Sequence, residues 1–166
     1  GEEAYSLAMV AKETIADPAW EVAIGAVDLN PAALEKAERA RYSTWALRET
    51  PLDMQRRWFH ADGRDTVLDP AIRRAVKFEA ANLASEDPAL WQPATYDVVF
   101  CRNVLMYFSP DQMRAAIARI AQSLAPGGFL FLGHAETLRG ISDAFHLRHT
   151  HGTFYYERKD RIGRTT

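Results

Sequence analysis

Between Tyr5 and Ile15 apolar residues recur at helical spacing: Tyr5, Leu7, Ala8, Val10, Ala11 and Ile15 make one broad stripe. That is the signature of a helix buried along one face, and it predicts a helix over 3–15. Glu2 and Glu3 stand at its start, where the helix dipole favours negative charge, and Asp17-Pro18 breaks the pattern. Residues 21–27, Glu-Val-Ala-Ile-Gly-Ala-Val, then form a short apolar run ending in Asp28. Its length and flanks predict a buried parallel strand. Asn30 as cap and Pro31 at the first helical position open a second helix, predicted to reach Arg41.

The character changes over 42–79. Tyr42 to Arg48 carries only weak helical signal and reads as a loop. A short helix is predicted from Pro51 to Trp58, with Thr50 as its cap. Arg57-Trp58-Phe59-His60-Ala61, the turn Asp62-Gly63 and Thr66-Val67-Leu68 read as a hairpin, because Asp-Gly is a strong short-range turn signal. Ala75 to Glu79 alternates and predicts a third strand of the same small antiparallel unit.

The strand–helix alternation resumes after residue 80. Tyr96 to Cys101 predicts a strand. Pro110 to Leu124 predicts a helix capped by Ser109, with Met113, Ile117, Ile120 and Leu124 on one face. Pro126-Gly127-Gly128 marks a turn and Phe129 to Leu132 another buried strand. Residues 145–149 and 153–157 pair around Thr150-His151-Gly152 as a hairpin, and 160–166 reads as a frayed tail. The predicted fold is α/β, a doubly wound and mostly parallel sheet carrying a small inserted antiparallel β-subdomain. The expected division is 1–41 with 80–159 for the sheet, 42–79 for the insert and 160–166 for the tail. The chain opens at a helix start with no strand before it, so an upstream strand is expected.

Composition narrows the class without naming a chemistry. The 166 residues carry 20 basic and 22 acidic side chains, a formal net charge of -2. That balance exerts no global pull toward nucleic acid or a membrane surface. No apolar run approaches the roughly 20 residues of a membrane helix. The one cysteine, Cys101, excludes an internal disulfide framework, and a cytoplasmic location is the expectation. There is no Gly-x-Ser-x-Gly elbow, Walker loop or paired-cysteine motif. His149 and His151 stand two apart in a hairpin and no further ligand converges on them, so no metal site is assigned.

In a doubly wound sheet, ligands bind beyond the carboxyl ends of the strands, which directs attention to the residues found there. Asp28 can accept hydrogen bonds from both hydroxyls of a ribose, or simply cap its loop. Asn82-Leu83 can read an adenine edge, or serve as turn residues. Arg102 and Asn103 follow a four-residue apolar run and point chemistry at the crevice, while Cys101 reads as a small buried hydrophobe. Tyr107 either orients a substrate carboxylate or packs as a wedge on the following helix. His134 and Glu136 are either an acid–base pair or a satisfied loop pair.

Taken in order, these segments resemble the CheR family, the chemoreceptor glutamate methyltransferases, over nearly the whole chain. The family's Gly-Glu-Glu-Pro-Tyr-Ser is here Gly1-Glu2-Glu3-Ala4-Tyr5-Ser6, with Ala4 in place of the proline. Its acidic ribose ligand falls on Asp28 and its Asn-Leu pair near the adenine on Asn82 and Leu83. Its most specific motif, Cys-Arg-Asn-Val-x-x-Tyr-Phe, runs from Cys101 to Phe108. Its Leu-x-Pro-Gly-Gly and Gly-His-x-Glu segments fall on Leu124 to Gly128 and Gly133 to Glu136. The family's N-terminal helical domain, first sheet strand and glycine turn have no counterpart in these 166 residues. The resemblance implies that this turn forms one wall of the cofactor pocket.

The resemblance further implies an S-adenosylmethionine-dependent enzyme that esterifies glutamate side chains of chemotaxis receptors, leaving S-adenosylhomocysteine. Glu3, Asp28, Asn82, Leu83, Arg102 and Asn103 would contact the cofactor, and Tyr107 and Arg102 would serve the reacting centre. Cytoplasmic receptor helices are the implied partners, and the insert would be the β-subdomain that in some members docks a receptor tail peptide. Arg56, Arg57, Arg73, Arg74 and Lys77 make the insert locally basic, which suits an acidic helix or a solvated face alike. The competing reading is a truncated or degenerate relative acting as a non-catalytic module that binds the cofactor, its product or a protein.

Overall fold

In the computed structural model, which describes residues 1–160, helices and strands alternate as their periodicity predicts. The order is α1 (Glu2–Thr14), β1 (Ile24–Asp28), α2 (Pro31–Arg39), β2 (Arg41–Ser43), α3 (Leu52–Trp58), β3 (Phe59–Asp62), β4 (Asp65–Leu68), α4 (Pro70–Arg74) and β5 (Val76–Ala80). It continues with β6 (Tyr96–Cys101), a 3-10 turn (Leu105–Tyr107), α5 (Pro110–Ser123), β7 (Leu124–Leu132), β8 (Phe145–Thr150) and β9 (Thr153–Arg158). The expected tail lies, from residue 161 on, outside the described residues. The chain divides into two compact units, Gly1–Asn82 and a second starting at Leu83.

In the first unit β1 and β5 pair in parallel, with Ile24 opposite Val76 and Asp28 opposite Ala80. Parallel neighbours need a long crossover, and the whole of 29–75 serves as one. Asn30 caps α2 by accepting from the Ala32 N–H, and Ala40 ends that helix in the left-handed region at φ 49°. The crossover then forms its own antiparallel sheet in the order β2-β4-β3. Two sequence expectations are corrected here. Residues 75–79 were assigned to the insert as its third strand, but Val76 to Glu79 lie in β5 and pair with β1, and Ala75 ends α4. The third strand is instead β2, where the predicted helix end and the stretch read as a loop meet: Arg41 to Ser43 pair with Asp65 to Val67. Alternation reports that one face of a strand is buried and carries no information on its partner. Pro51, with no side-chain cap bond, occupies the cap position of α3 that was assigned to Thr50.

The core of this unit joins α1 to both sheets: Tyr5, Ala8, Met9, Ala40, Leu68, Ile72 and Val76 are all buried. The Tyr5 hydroxyl donates to the Ala37 carbonyl (3.0 Å), and its ring meets Phe78 edge-on at 5.4 Å. Burial pushes the Tyr5 phenol above its ordinary value, and that of Tyr42 further still.

In the second unit the sheet order is β6-β7-β9-β8, with β6 and β7 parallel and the rest antiparallel. Helix α5 is the crossover between β6 and β7. It begins with a reciprocal capping box between Ser109 and Gln112, preceding Pro110 at its first position. It buries Ile117 and Ile120 against Leu124, Leu130 and Cys101. The Pro126-Gly127-Gly128 turn interrupts the ladder between Tyr96 and Val98. A Cβ on Gly128 would stand 2.9 Å from the Ala125 carbonyl and 3.0 Å from that of Asp97, so only glycine fits.

A pH-dependent contribution to stability follows from the start of α4. The Asp69 carboxylate caps the helix by accepting from the Ala71 N–H (2.7 Å) and lies 3.3 Å from His60 Nε2. The Ala71 bond first, then His60, hold the Asp69 carboxyl below the usual carboxylate range. A depressed folded-state value stabilises above the unfolded value and is lost as pH falls through the folded one. Asp69→Ala is therefore expected to cost about 1 kcal/mol near neutral pH. The gap from the wild type should close as pH falls below about 4, read by urea unfolding at pH 7 and pH 3. A gap unchanged at pH 3 would contradict this.

Candidate functional site

Parallel pairing brings strand ends together within each unit. In the first, Asp28 and Asn82 leave the same end of the β1–β5 pair, and the Ala81 N–H donates to the Asp28 carbonyl (3.1 Å), carrying the ladder one step further. The Asp28 side chain is exposed, and its Oδ1 accepts from the Asn30 N–H (2.8 Å). This turn holds the carboxylate at the strand tip and leaves its second oxygen for a ligand. Asn82 is exposed at the end of this unit, and Glu3 is exposed in the first turn of α1.

Leu83 opens the second unit, half-buried against its core. The loop after it is held from α5: Arg119 Nη2 donates to the carbonyls of Leu83 (3.3 Å) and Ala84 (3.2 Å). The Arg119 guanidinium also lies 5.7 Å from the centre of the Trp91 ring, and the Trp91 indole N–H donates to the Ser85 carbonyl (2.8 Å). Sequence reading passed over Arg119. A cation on the polar edge of an amphipathic helix looks like a solvated residue, and only its spatial neighbours distinguish it.

Beyond β6, Cys101 is buried at 4% exposure, in keeping with a small core hydrophobe, while Arg102 and Asn103 are exposed. Asn103 lies in the left-handed region at φ 58°. The 3-10 turn that follows buries Leu105 and turns Tyr107 out at 80% exposure. Tyr107 is thus not a packing wedge; Phe108 takes that position against the core. The loop after β7 meets this segment through Glu136. Its Oε2 accepts from the N–H groups of Gly133 (2.7 Å) and Asn103 (2.8 Å), and its Oε1 from that of Leu105 (3.0 Å). Both oxygens are occupied, and no hydrogen bond joins Glu136 to the exposed His134 among the described residues. Of the two sequence readings, the acid–base pair gives way to a satisfied loop, although the partners are main-chain amides and not His134.

In parallel α/β sheets ligands bind beyond the carboxyl ends of the strands, which is where Asp28 and Asn82 stand in the first unit and Arg102 and Asn103 in the second. Residues 1–154 match the family described as CheR methyltransferase, SAM binding domain, and the chain belongs to that family. It is 36% identical over 152 residues to the chemotaxis protein methyltransferase of Klebsiella aerogenes, covering 89% of this chain and 52% of that protein. It is 37% identical over 153 residues to chemotaxis protein methyltransferase 1 of Pseudomonas aeruginosa, covering 89% of this chain and 55% of that protein. The chain thus spans about half the length of the curated relatives it matches. Among solved structures, a possible exported protein from Bordetella parapertussis shares the fold at a TM-score of 0.50 and 12% identity, covering 92% of this chain and 59% of that one. The cofactor of the family is S-adenosylmethionine, and the donor set suits it. An exposed carboxylate with one oxygen engaged by a main-chain N–H, as in Asp28, is the kind of acceptor to which hydroxyls can donate. No helix among the described residues is long and apolar enough to cross a membrane, and none of their His, Cys, Asp and Glu side chains gather into a metal-holding group.

Arg119→Ala removes two charge-assisted bonds to the Leu83–Ala84 backbone and is expected to destabilise the second unit by about 2 kcal/mol. Amide hydrogen exchange over residues 83–91 should quicken well beyond that elsewhere in the unit. Unaltered exchange there would show that the loop holds itself.

Proposed function

We propose that this chain binds S-adenosylmethionine and serves the methylation of glutamate side-chain carboxylates in chemotaxis receptors, giving glutamyl methyl esters. The observation that carries the cofactor half is the exposed Asp28 carboxylate, tied by one oxygen and open at the other, at the end of a parallel pair beside Asn82. The names of the relatives support the chemotaxis half. Bound cofactor supplies an electrophilic methyl on a sulfonium.

The chain's own task is alignment. A receptor glutamate is already ionised near neutral pH, with a reference pKa of about 4.3, so no strong general base is required. Its oxygen forms the new bond to the methyl carbon, and the electrons of the broken carbon–sulfur bond stay on sulfur. In this reading Asp28 takes the ribose hydroxyls, Glu3 holds a polar group of the cofactor, and Asn82 and Leu83 line the adenine. Arg102 and Asn103 lie by the reacting centre, and the outward Tyr107 orients the receptor carboxylate through its hydroxyl. Holding nucleophile and methyl in line, with water excluded, supplies most of the rate. The partners are cytoplasmic helices of receptors, which places the protein in the cytoplasm. The antiparallel sheet β2-β4-β3, with Arg56, Arg57, Arg73 and Arg74 on the flanking helices, is the proposed dock for an acidic receptor segment.

Asp28→Ala should weaken S-adenosylhomocysteine binding at least tenfold in calorimetry, and equal affinity would remove Asp28 from the site. Tyr107→Phe should lower methyl transfer to receptor-bearing membranes by tenfold or more while cofactor affinity stays within about twofold. Unchanged turnover would end the role given to that hydroxyl. A chain that binds the cofactor yet methylates no receptor would favour the non-catalytic module.

A further inference from the structure

The carboxylate of Glu136 is heavily engaged at the strand ends of the second unit. Three main-chain N–H groups from two different loops converge on it: Gly133 and Asn103 on Oε2, Leu105 on Oε1. Hydrogen bonds to a charged acceptor are about twice as strong as those between neutral groups. No ion pair joins Glu136 to a cation among the described residues, and its hydrogen bonds come from main-chain amides. The packing around it leaves no slack. A Cβ on Gly133 would stand 2.7 Å from Glu136 Oε2 and 2.9 Å from both the backbone and side-chain nitrogens of Asn103. Asn103 itself holds a left-handed backbone, which non-glycine residues adopt at a cost and keep only where the surroundings impose it.

Two of the three bonds fall on the segment that carries Arg102, Asn103 and Tyr107. We propose that Glu136 is a positioning residue: its carboxylate locks the Arg102–Tyr107 segment in the one conformation that presents these side chains to cofactor and substrate. This rests on the reading of Arg102 and Asn103 as cofactor-facing residues. It also gives the Gly133-His134-Ala135-Glu136 turn a function that needs no proton transfer. A carboxylate that left its amides to carry a proton would release the loop it holds.

The test compares wild type, Glu136→Ala and Glu136→Gln by three measurements: thermal midpoint, amide exchange at Gly133, Asn103 and Leu105, and titration with S-adenosylhomocysteine well below the midpoint. The glutamine carbonyl can still accept from Gly133 and Asn103, but its NH2 faces the Leu105 N–H. The expected order of affinity is wild type, then Gln, then Ala, with at least a tenfold loss for Ala and an intermediate loss for Gln. Exchange should quicken at Leu105 in both variants, and at Asn103 and Gly133 mainly in Ala. If Glu136→Ala does not fold, the comparison of Gln with wild type carries the same test. Variants that melt earlier but bind as tightly as wild type would overturn the proposal and leave Glu136 a stability residue. A wild-type chain that fails to bind S-adenosylhomocysteine would overturn the cofactor reading itself, and any positioning role with it.

Discussion

Parallel strand pairing is the constraint on which the rest of this structure depends. Two strands that run the same way cannot be joined by a tight turn, so each pair demands a crossover long enough to return the chain to its starting edge. Between β6 and β7 the crossover is α5, and its Ile117 and Ile120 are the residues that seal the sheet. Between β1 and β5 it is a run of helices and short strands that folds a sheet of its own. The same constraint makes a site. Strands that start together also finish together, so Cys101 lies opposite Leu132 and Asp28 opposite Ala80. Within each pair, the residues that follow its two strands are delivered to the same end of that pair without sequence proximity.

Local chemistry then secures what topology delivers. At the end of the β1–β5 pair, an Asn30 N–H holds one oxygen of Asp28 while the other stays open. At the end of the β6–β7 pair, Glu136 gathers three amides, and Gly133 is the residue small enough to let it approach. A single helix cation, Arg119, ties down the loop after Leu83 through two carbonyls. These are polar anchors within each unit. Their shared feature is that a side chain satisfies main-chain groups left without partners where a strand ends.

Much of this was legible in the sequence, for definite reasons. Helices announce themselves through a period of 3.6 and through caps, which is why Asn30, Pro31, Ser109 and Pro110 stand at helix starts as expected. The terminal hairpin was legible because His151 and Gly152 are a pair suited to two successive positive φ angles. The short motif from Cys101 to Phe108, taken with Asp28 and Asn82, was enough to indicate the family, because its order along the chain is so specific. These are local signals, written in neighbouring residues.

Partnership between distant segments was decided by the tertiary structure alone. The alternation of Ala75 to Glu79 indicated a strand but not that its neighbour is Ile24–Asp28, since a pleated segment presents the same pattern to any partner. Arg41–Ser43 became a strand only because β4 was there to pair with it. The outward turn of Tyr107 goes with Leu105 filling the core two residues earlier in the same turn. Glu136 and His134, two residues apart, read either as an acid–base pair or as a satisfied loop pair. The fold instead set the carboxylate against amides 31 and 33 residues away in the chain. Sequence by itself determined most of the elements, the family and the candidate residues at the strand ends. Which backbone groups each side chain satisfies was settled in three dimensions, because a hydrogen bond is made with whatever the fold brings within 3 Å.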